Sequence, residues 1–266
     1  MGTVRGFNIL LICGCRLICQ LDRLAWSFLV VSMSDELGWD HLEQAHVKAA
    51  FAAGYLWLQI AGGVAGDRIG NKVFQLFSIC ACGAGMLAVP ALIGGPPPQG
   101  QGGAAGSAAS SSMAIARGVY FAMGVFCGPQ HPTGTAMLAK WCLPAEKAWV
   151  SSMDAISSIA GSLLSTLVIG VVIEHLGWRT AMHGMSAATF AFLLLFALFA
   201  SDSPAVSRNR RWLPMSEDEA RLFEDAGMLP PAAMKVAPGC VFIVNKQMQC
   251  AGYSPTIPIS VDRIKG

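Results

Sequence analysis

The stretch Gly63-Val64-Ala65-Gly66-Asp67-Arg68-Ile69-Gly70-Asn71-Lys72 lies in a short gap between two long apolar runs. It reads G-x-x-x-D-R-x-G-x-K. Charge confined to so short a gap, with apolar sequence on both sides, marks a tight hairpin between two membrane helices. Gly63 and Gly66 let helix ends approach closely. Gly70 permits a sharp reversal with positive φ. Asp67 is able to pair with Arg68, Lys72 or a helix N-terminus, a contact that holds one conformation until it breaks. The plainer alternative is a charged loop that obeys the positive-inside rule.

Composition agrees with a membrane setting. Hydrophobic residues make up 54% of the 266 and charged residues 13%, against about 25% charge in a soluble domain. A net charge of +2, with no clustering of basic and aromatic residues, argues against a nucleic-acid partner. The nine cysteines contain no C-x-x-C pair, and Cys13, Cys15, Cys19, Cys80, Cys82 and Cys127 fall inside apolar runs as small hydrophobes. Neither a disulfide framework nor a metal site is expected. No nucleophile–base spacing or phosphate loop is present, so the sequence reads as no enzyme, with no cofactor.

A bilayer core of about 30 Å takes about 20 apolar residues per helix. Six segments qualify, at roughly 8–31, 45–65, 73–95, 113–138, 150–173 and 180–200. The expected fold is an all-α membrane bundle of six helices over residues 1–203, followed by a cytosolic tail over 204–266. Gly94 to Ser112, with Pro96-Pro97-Pro98 and a Gly/Ala/Ser tract, reads as a flexible outer loop. Lys and Arg concentrate in Arg5, Arg68, Lys72, Lys140, Lys147, Arg208, Arg210 and Arg211, which places both termini in the cytosol. In the tail, Ser216-Glu217-Asp218-Glu219 is a capping box for a short helix near 216–226, and prolines from Pro230 onward predict irregular chain.

Ionisable residues inside spans face a cavity or a partner. Asp22 and Arg23 lie within the first span, Arg23 as an anion site and Asp22 as a coupling group, or the two as a structural ion pair. In the fourth span, Arg117 reads as an anion ligand or as an interfacial, snorkelling arginine. His131, between Pro129 and Pro132, reads as a polar helix contact or a proton relay. Gly161-x-x-x-Ser165 in the fifth span suits close helix packing.

Taken in order, these pieces resemble the anion–cation symporter group of the major facilitator superfamily, which includes the solute carrier 17 type organic-anion and phosphate transporters and the plant anion transporters. The resemblance rests on Asp22-Arg23, Val31 to Trp39, Gly54-Tyr55, Gln59 to Gly63, the Asp67 to Lys72 loop, Pro132, Ala136 to Trp141, Leu176-Gly177-Trp178 and Ser201 to Pro204. It covers about residues 8–222. It implies two three-helix repeats, alternating access, an anionic substrate at Arg23, and a coupling cation, proton or sodium. It also implies a gating loop made of Gly63, Asp67, Arg68, Gly70 and Lys72. In the fourth span the family's arginine position is occupied by Tyr120 and its acidic position by Cys127; Arg117 lies one turn away, about 4.5 Å along the axis. Family members have two six-helix halves, and the resemblance covers the first. The sequence therefore reads as a truncated transporter in need of a second half-transporter chain. The alternative is a non-transporting fragment or splice product that acts as an interaction partner.

Overall fold

A computed structural model describes residues 4–93, 102–208 and 215–228, the side chains of 102–110 and 208 excepted. Among these residues the structure is all helix. The long elements are α1 (Val4–Leu37), α2 (His41–Ile69), α3 (Asn71–Leu92), α4 (Gly102–Cys127), α5 (Gln130–Trp141) and α6 (Lys147–Phe199). Two short helices follow, α7 (Pro204–Arg208) and α8 (Glu217–Asp225). Five stretches are long and apolar enough to cross a membrane; α4 and α5 contribute one of them, Ser111–Trp141.

The longest helix is a hairpin. Gly177 interrupts α6 with φ 77° and ψ 161°, a region of backbone space essentially reserved for glycine. The side-chain contacts show which way the chain turns. Gly161 meets the backbone of Leu17, and Trp178 and Arg179 reach Glu36. Thr189 then returns to Asp22, and Phe199 to Phe7. The chain climbs α1 to its far end and descends again, so 147–176 and 178–199 are antiparallel arms. The sixth helical rod comes from this kink.

The fourth rod is broken. Gly128 and Pro129 separate α4 from α5, because Pro129 has no N–H to continue the ladder. Pro132 sits in the first turn of α5, where a missing N–H costs little. At its other end α4 starts at Gly102, ahead of the expected 113, so half of the expected loop is helix. Ala104, Ala105, Ala108 and Ala109 supply strong helix formers there, and their spacing outweighs the glycines. Pro96-Pro97-Pro98 lie outside the described residues, as do Arg210, Arg211 and 229–266 of the tail.

Glycine seams decide which helices touch. A Cβ on Gly54 of α2 would run into the carbonyl of Phe121, and one on Gly124 of α4 into the carbonyl of Phe51. Gly62 likewise faces the ring of Pro129. The α2 and α4 backbones therefore lie nearly in contact, the packing that small residues permit in a bilayer. Gly161 does the same for α6 against α1. The core between the rods holds Trp26, Leu29, Met33, Ile79, Met86, Met137 and Met182, all fully buried. At the end of the bundle carrying Glu36, Asp40 caps α2 with a reciprocal box to Glu43. Ser216 caps α8 by accepting from Glu219 N at 3.3 Å. The carboxylate of Glu219 instead accepts from Arg5 N at 3.2 Å, which ties the tail helix to the start of α1.

Candidate functional site: a cationic cavity and the polar lock beneath it

One stripe of α1 carries Arg16, Cys19, Gln20 and Arg23, spaced three or four residues apart and therefore on one helix face. Phe51 and Tyr55 face this stripe from α2, Cys82 from α3, Met123 and Cys127 from α4, Gln130 and His131 from α5, and Ser158 from α6. Together they enclose a cavity of about 290 Å³. The break at Gly128-Pro129 delivers Gln130 and His131 to its wall. A second cavity of about 740 Å³ shares Arg16, His131 and Ser158 with the first and extends to Asp154 and Lys147.

Arg23 is one of two arginines on the wall of the first cavity, and its side chain is exposed. Its guanidinium carbon lies 5.3 Å from the centroid of the Phe51 ring and 5.3 Å from that of Tyr55. Two ring faces hold the charge at about 0.5–1 kcal/mol each, the range for an exposed cation, and leave its N–H groups free for an acceptor. Among the described residues Arg23 has no carboxylate partner. Asp22, its neighbour in sequence, is fully buried on another face of α1. One of its oxygens accepts from Thr189 Oγ1 at 2.8 Å; the other has no partner among the described residues. The two residues therefore form no ion pair with each other.

The other residues singled out in the sequence are dispersed. Tyr120 is buried, stacked on Trp26 at 4.6 Å and tilted against Phe51 at 4.9 Å. It backs the ring that carries Arg23 and does not line the cavity. Arg117 is exposed, outside both cavities, with no hydrogen bond or ion pair among the described residues. His131 does line the cavity, its Nδ1 against Arg16 Nη2. Arg16 Nε in turn lies 3.8 Å from Asp154 Oδ2.

The loop between α2 and α3 turns at Gly70, which has φ 116° and donates its N–H to Gly66 O at 2.9 Å. Asp67 and Arg68 point outward and make no hydrogen bond or ion pair among the described residues. The polar contacts lie one turn further on. Lys72 N donates to Asp202 Oδ1 at 3.0 Å, and Lys72 Nζ to the carbonyl of Ala197 at 2.7 Å. The other oxygen of Asp202 holds Lys140 Nζ at 2.8 Å. Buried Asn71 accepts from that same Nζ at 2.9 Å and donates to Gly66 O at 3.2 Å. Trp141 Nε1 donates to Ser201 O at 3.0 Å, and Ser201 N to Asn8 Oδ1 at 2.8 Å. The ends of α5 and α6 and the starts of α1 and α3 are thus fastened around Asp202. Just above, Gln75 donates to Gln130 O at 2.7 Å and to Thr133 Oγ1 at 3.0 Å.

Residues 12–243 match the profile of the Major Facilitator Superfamily. The chain belongs to this superfamily. It is 27% identical over 262 residues to the human voltage-gated purine nucleotide uniporter SLC17A9, covering 94% of this chain and 56% of that protein. It is 25% identical to the chloroplastic ascorbate transporter of Arabidopsis thaliana over 75% of this chain and 34% of that one. It is 27% identical to a probable sulfoacetate transporter of Cupriavidus necator over 70% of this chain and 39% of that one. The chain spans about half the length of the curated relatives it matches. Its fold is similar to that in a crystal structure of the peptide transporter POT, with a TM-score of 0.57 at 17% identity over 82% of this chain and 43% of that chain. The structure is therefore the N-terminal half of a major facilitator fold.

Within this facilitator half, sequence reasoning did not single out Arg16, which lines both cavities, or Asp202, which holds the polar lock. Arg16 carried a signal, since it stands seven residues before Arg23 and so shares its face. Asp202 and Lys140 were legible as matching text but not as a pair, because their contact joins elements far apart in sequence.

Proposed function

We propose that this chain is the N-terminal half-bundle of an anion transporter that works by alternating access, with Arg23 as the anchor for the anion. The observation that carries this reading is the Arg23 guanidinium, held over two aromatic faces on the wall of a cavity and without a carboxylate partner among the described residues. A cation so placed gains from an anionic ligand what water and ring faces do not supply. The names of the relatives support it: nucleotide, ascorbate and sulfoacetate all carry negative charge at neutral pH. Tyr120 and Arg117 act indirectly, Tyr120 by fixing Phe51 and Arg117 as a charge near the outer mouth.

In this reading the six rods cross the membrane with both termini in the cytosol. The α2–α3 turn and the Asp202 lock then lie at the cytosolic end, where Lys72 and Lys140 obey the positive-inside rule. Exposed Leu56, Trp57 and Ile60 of α2, and Leu163, Leu167 and Val171 of α6, face lipid or a second half-bundle that completes the cavity. Asp67 and Arg68, exposed here, engage that second half and gate the inner mouth. Asp22 and His131 are the candidate coupling groups. The relatives' names divide on the driving force, one a voltage-gated uniporter and another a sodium-dependent phosphate transport protein.

Reconstitution into proteoliposomes tests the proposal. Saturable uptake of labelled phosphate or organic anion is expected, lost in Arg23→Gln, with imposed potential, proton and sodium gradients identifying the drive. The second reading, a half-bundle that docks on other transporters without carrying flux, is favoured by the exposed apolar residues of α2 and α6, which such docking would cover. Absence of saturable flux for every anion tried would decide for it.

A further inference from the structure

We infer that the cavity is a two-point site, with Arg16 as a second anion anchor, and that it selects substrates bearing two separated anionic groups. The inference rests on the reading of Arg23 as the first anchor. Arg16 and Arg23 are seven residues apart on α1, two turns and about 10 Å along the axis, and on the same face. Both line the 290 Å³ cavity. No carboxylate lines that cavity. In the adjoining larger cavity the acid is Asp154, set against Arg16 and Lys147. The lining cations thus outnumber the carboxylate, and a second negative group on the ligand answers a charge that the wall leaves unbalanced.

Arg16 has only a weak carboxylate partner. Its contact to Asp154 is 3.8 Å, at the outer limit of an ion pair. Its Nε is buried and lacks a hydrogen-bond acceptor. The Nε charge is therefore poorly compensated from within, and the Arg16 side chain keeps 15% of its surface exposed, where a ligand oxygen can approach the guanidinium. His131 stands against the same guanidinium and helps fix where it points. A single-headed anion satisfies Arg23 alone. A two-headed anion with its groups less than about 10 Å apart satisfies both arginines at once.

Isothermal titration of the full chain in lipid nanodiscs with two probe series, succinate to sebacate and butyrate to decanoate, tests this. The wild-type chain is expected to bind one intermediate dicarboxylate at least about tenfold tighter than the monocarboxylate of equal length, since a charge-assisted hydrogen bond contributes that much. Arg16→Gln is expected to erase this preference, lowering dicarboxylate affinity by at least about fivefold more than monocarboxylate affinity. Asp154→Asn, which frees Arg16 without removing it, is expected to strengthen dicarboxylate binding alone. Arg23→Gln weakens both series. A wild-type chain that binds both series equally overturns the proposal, as does an Arg16→Gln chain that keeps the preference. If Arg16→Gln does not fold, an unchanged dicarboxylate affinity in Asp154→Asn overturns it. An Arg23→Gln chain that binds monocarboxylates normally removes the first anchor instead, so the two readings fail separately. Absence of binding by both series counts against the two-point site and leaves the flux test with other anions standing.

Discussion

Asp22 and Arg23 are adjacent in sequence and have opposite environments. Successive residues on a helix point about 100° apart, so one enters the core between α1 and the second arm of α6 while the other enters the cavity. Asp22 has one hydrogen bond and one oxygen without a partner. An ionised carboxylate there is expensive to bury, so Asp22→Asn is expected to melt within about 2 °C of the wild-type chain or above it. A clear drop in melting temperature would show that the charge has a partner of its own. The glycines of α4 give a sharper contrast. Gly124→Ala forces a Cβ into the α2 backbone and should cost about 1–3 kcal/mol. Gly118→Ala, on the same helix with nothing within 4 Å, should gain up to about 1 kcal/mol of helix propensity. Melting curves of the two variants in detergent check the pair. Arg23 was legible in the sequence as an ionisable residue in a span. Whether it met Asp22 or a cavity was not, since one residue's rotation decides between them and the pattern alone does not fix the phase.

At the scale of elements, Gly177 and Asp202 carry most of the architecture. Gly177 makes two arms out of one long helix by adopting a backbone conformation that other residues reach only with strain. Gly177→Ala is expected to destabilise the bundle by about 1–3 kcal/mol. Gly170→Ala, in the same helix with open space around it, is expected to do no harm. Asp202 serves two elements, capping the start of α3 through Lys72 N and pairing with Lys140 at the end of α5. Its ion pair is about a quarter exposed on both partners, so solvent screening limits that share. Asp202→Ala should cost about 1–2 kcal/mol, mostly through the lost cap. A double-mutant cycle with Lys140→Met measures the pair itself, and coupling below about 0.3 kcal/mol would assign the lock to the cap alone. The hairpin at Gly177 was readable from apolar runs that stop and restart around Leu176-Gly177-Trp178. The early start of α4 was hidden, because a tract of Gly, Ala and Ser has the composition of a linker and the propensity of a helix. The lock around Asp202 was hidden for a different reason: it joins residues 71, 140 and 202, and no local pattern announces a contact over such separations.

At the scale of the whole molecule, the apolar runs and the loop from Gly63 to Lys72 were sufficient to indicate a facilitator half, because membrane spans and their short connections are read directly from hydropathy and charge. The site was only partly legible. Arg23 lines the cavity, Tyr120 stands behind an aromatic ring, and Arg117 stays outside the cavity. Asp67 and Arg68, the most recognisable residues of the loop, have no partner among the described residues, while Lys72 and Asn71 hold the fold together. The central claim is that this half-bundle presents a cation for an anionic ligand, with or without a second half to complete a transport path. Equilibrium binding of radiolabelled phosphate and organic anions to the purified chain in nanodiscs tests it most directly, comparing the wild type with Arg23→Gln and Arg23→Lys. The account predicts saturable binding that falls at least about tenfold in Arg23→Gln and is partly kept in Arg23→Lys. Binding that is unaffected by removing the Arg23 charge would contradict it.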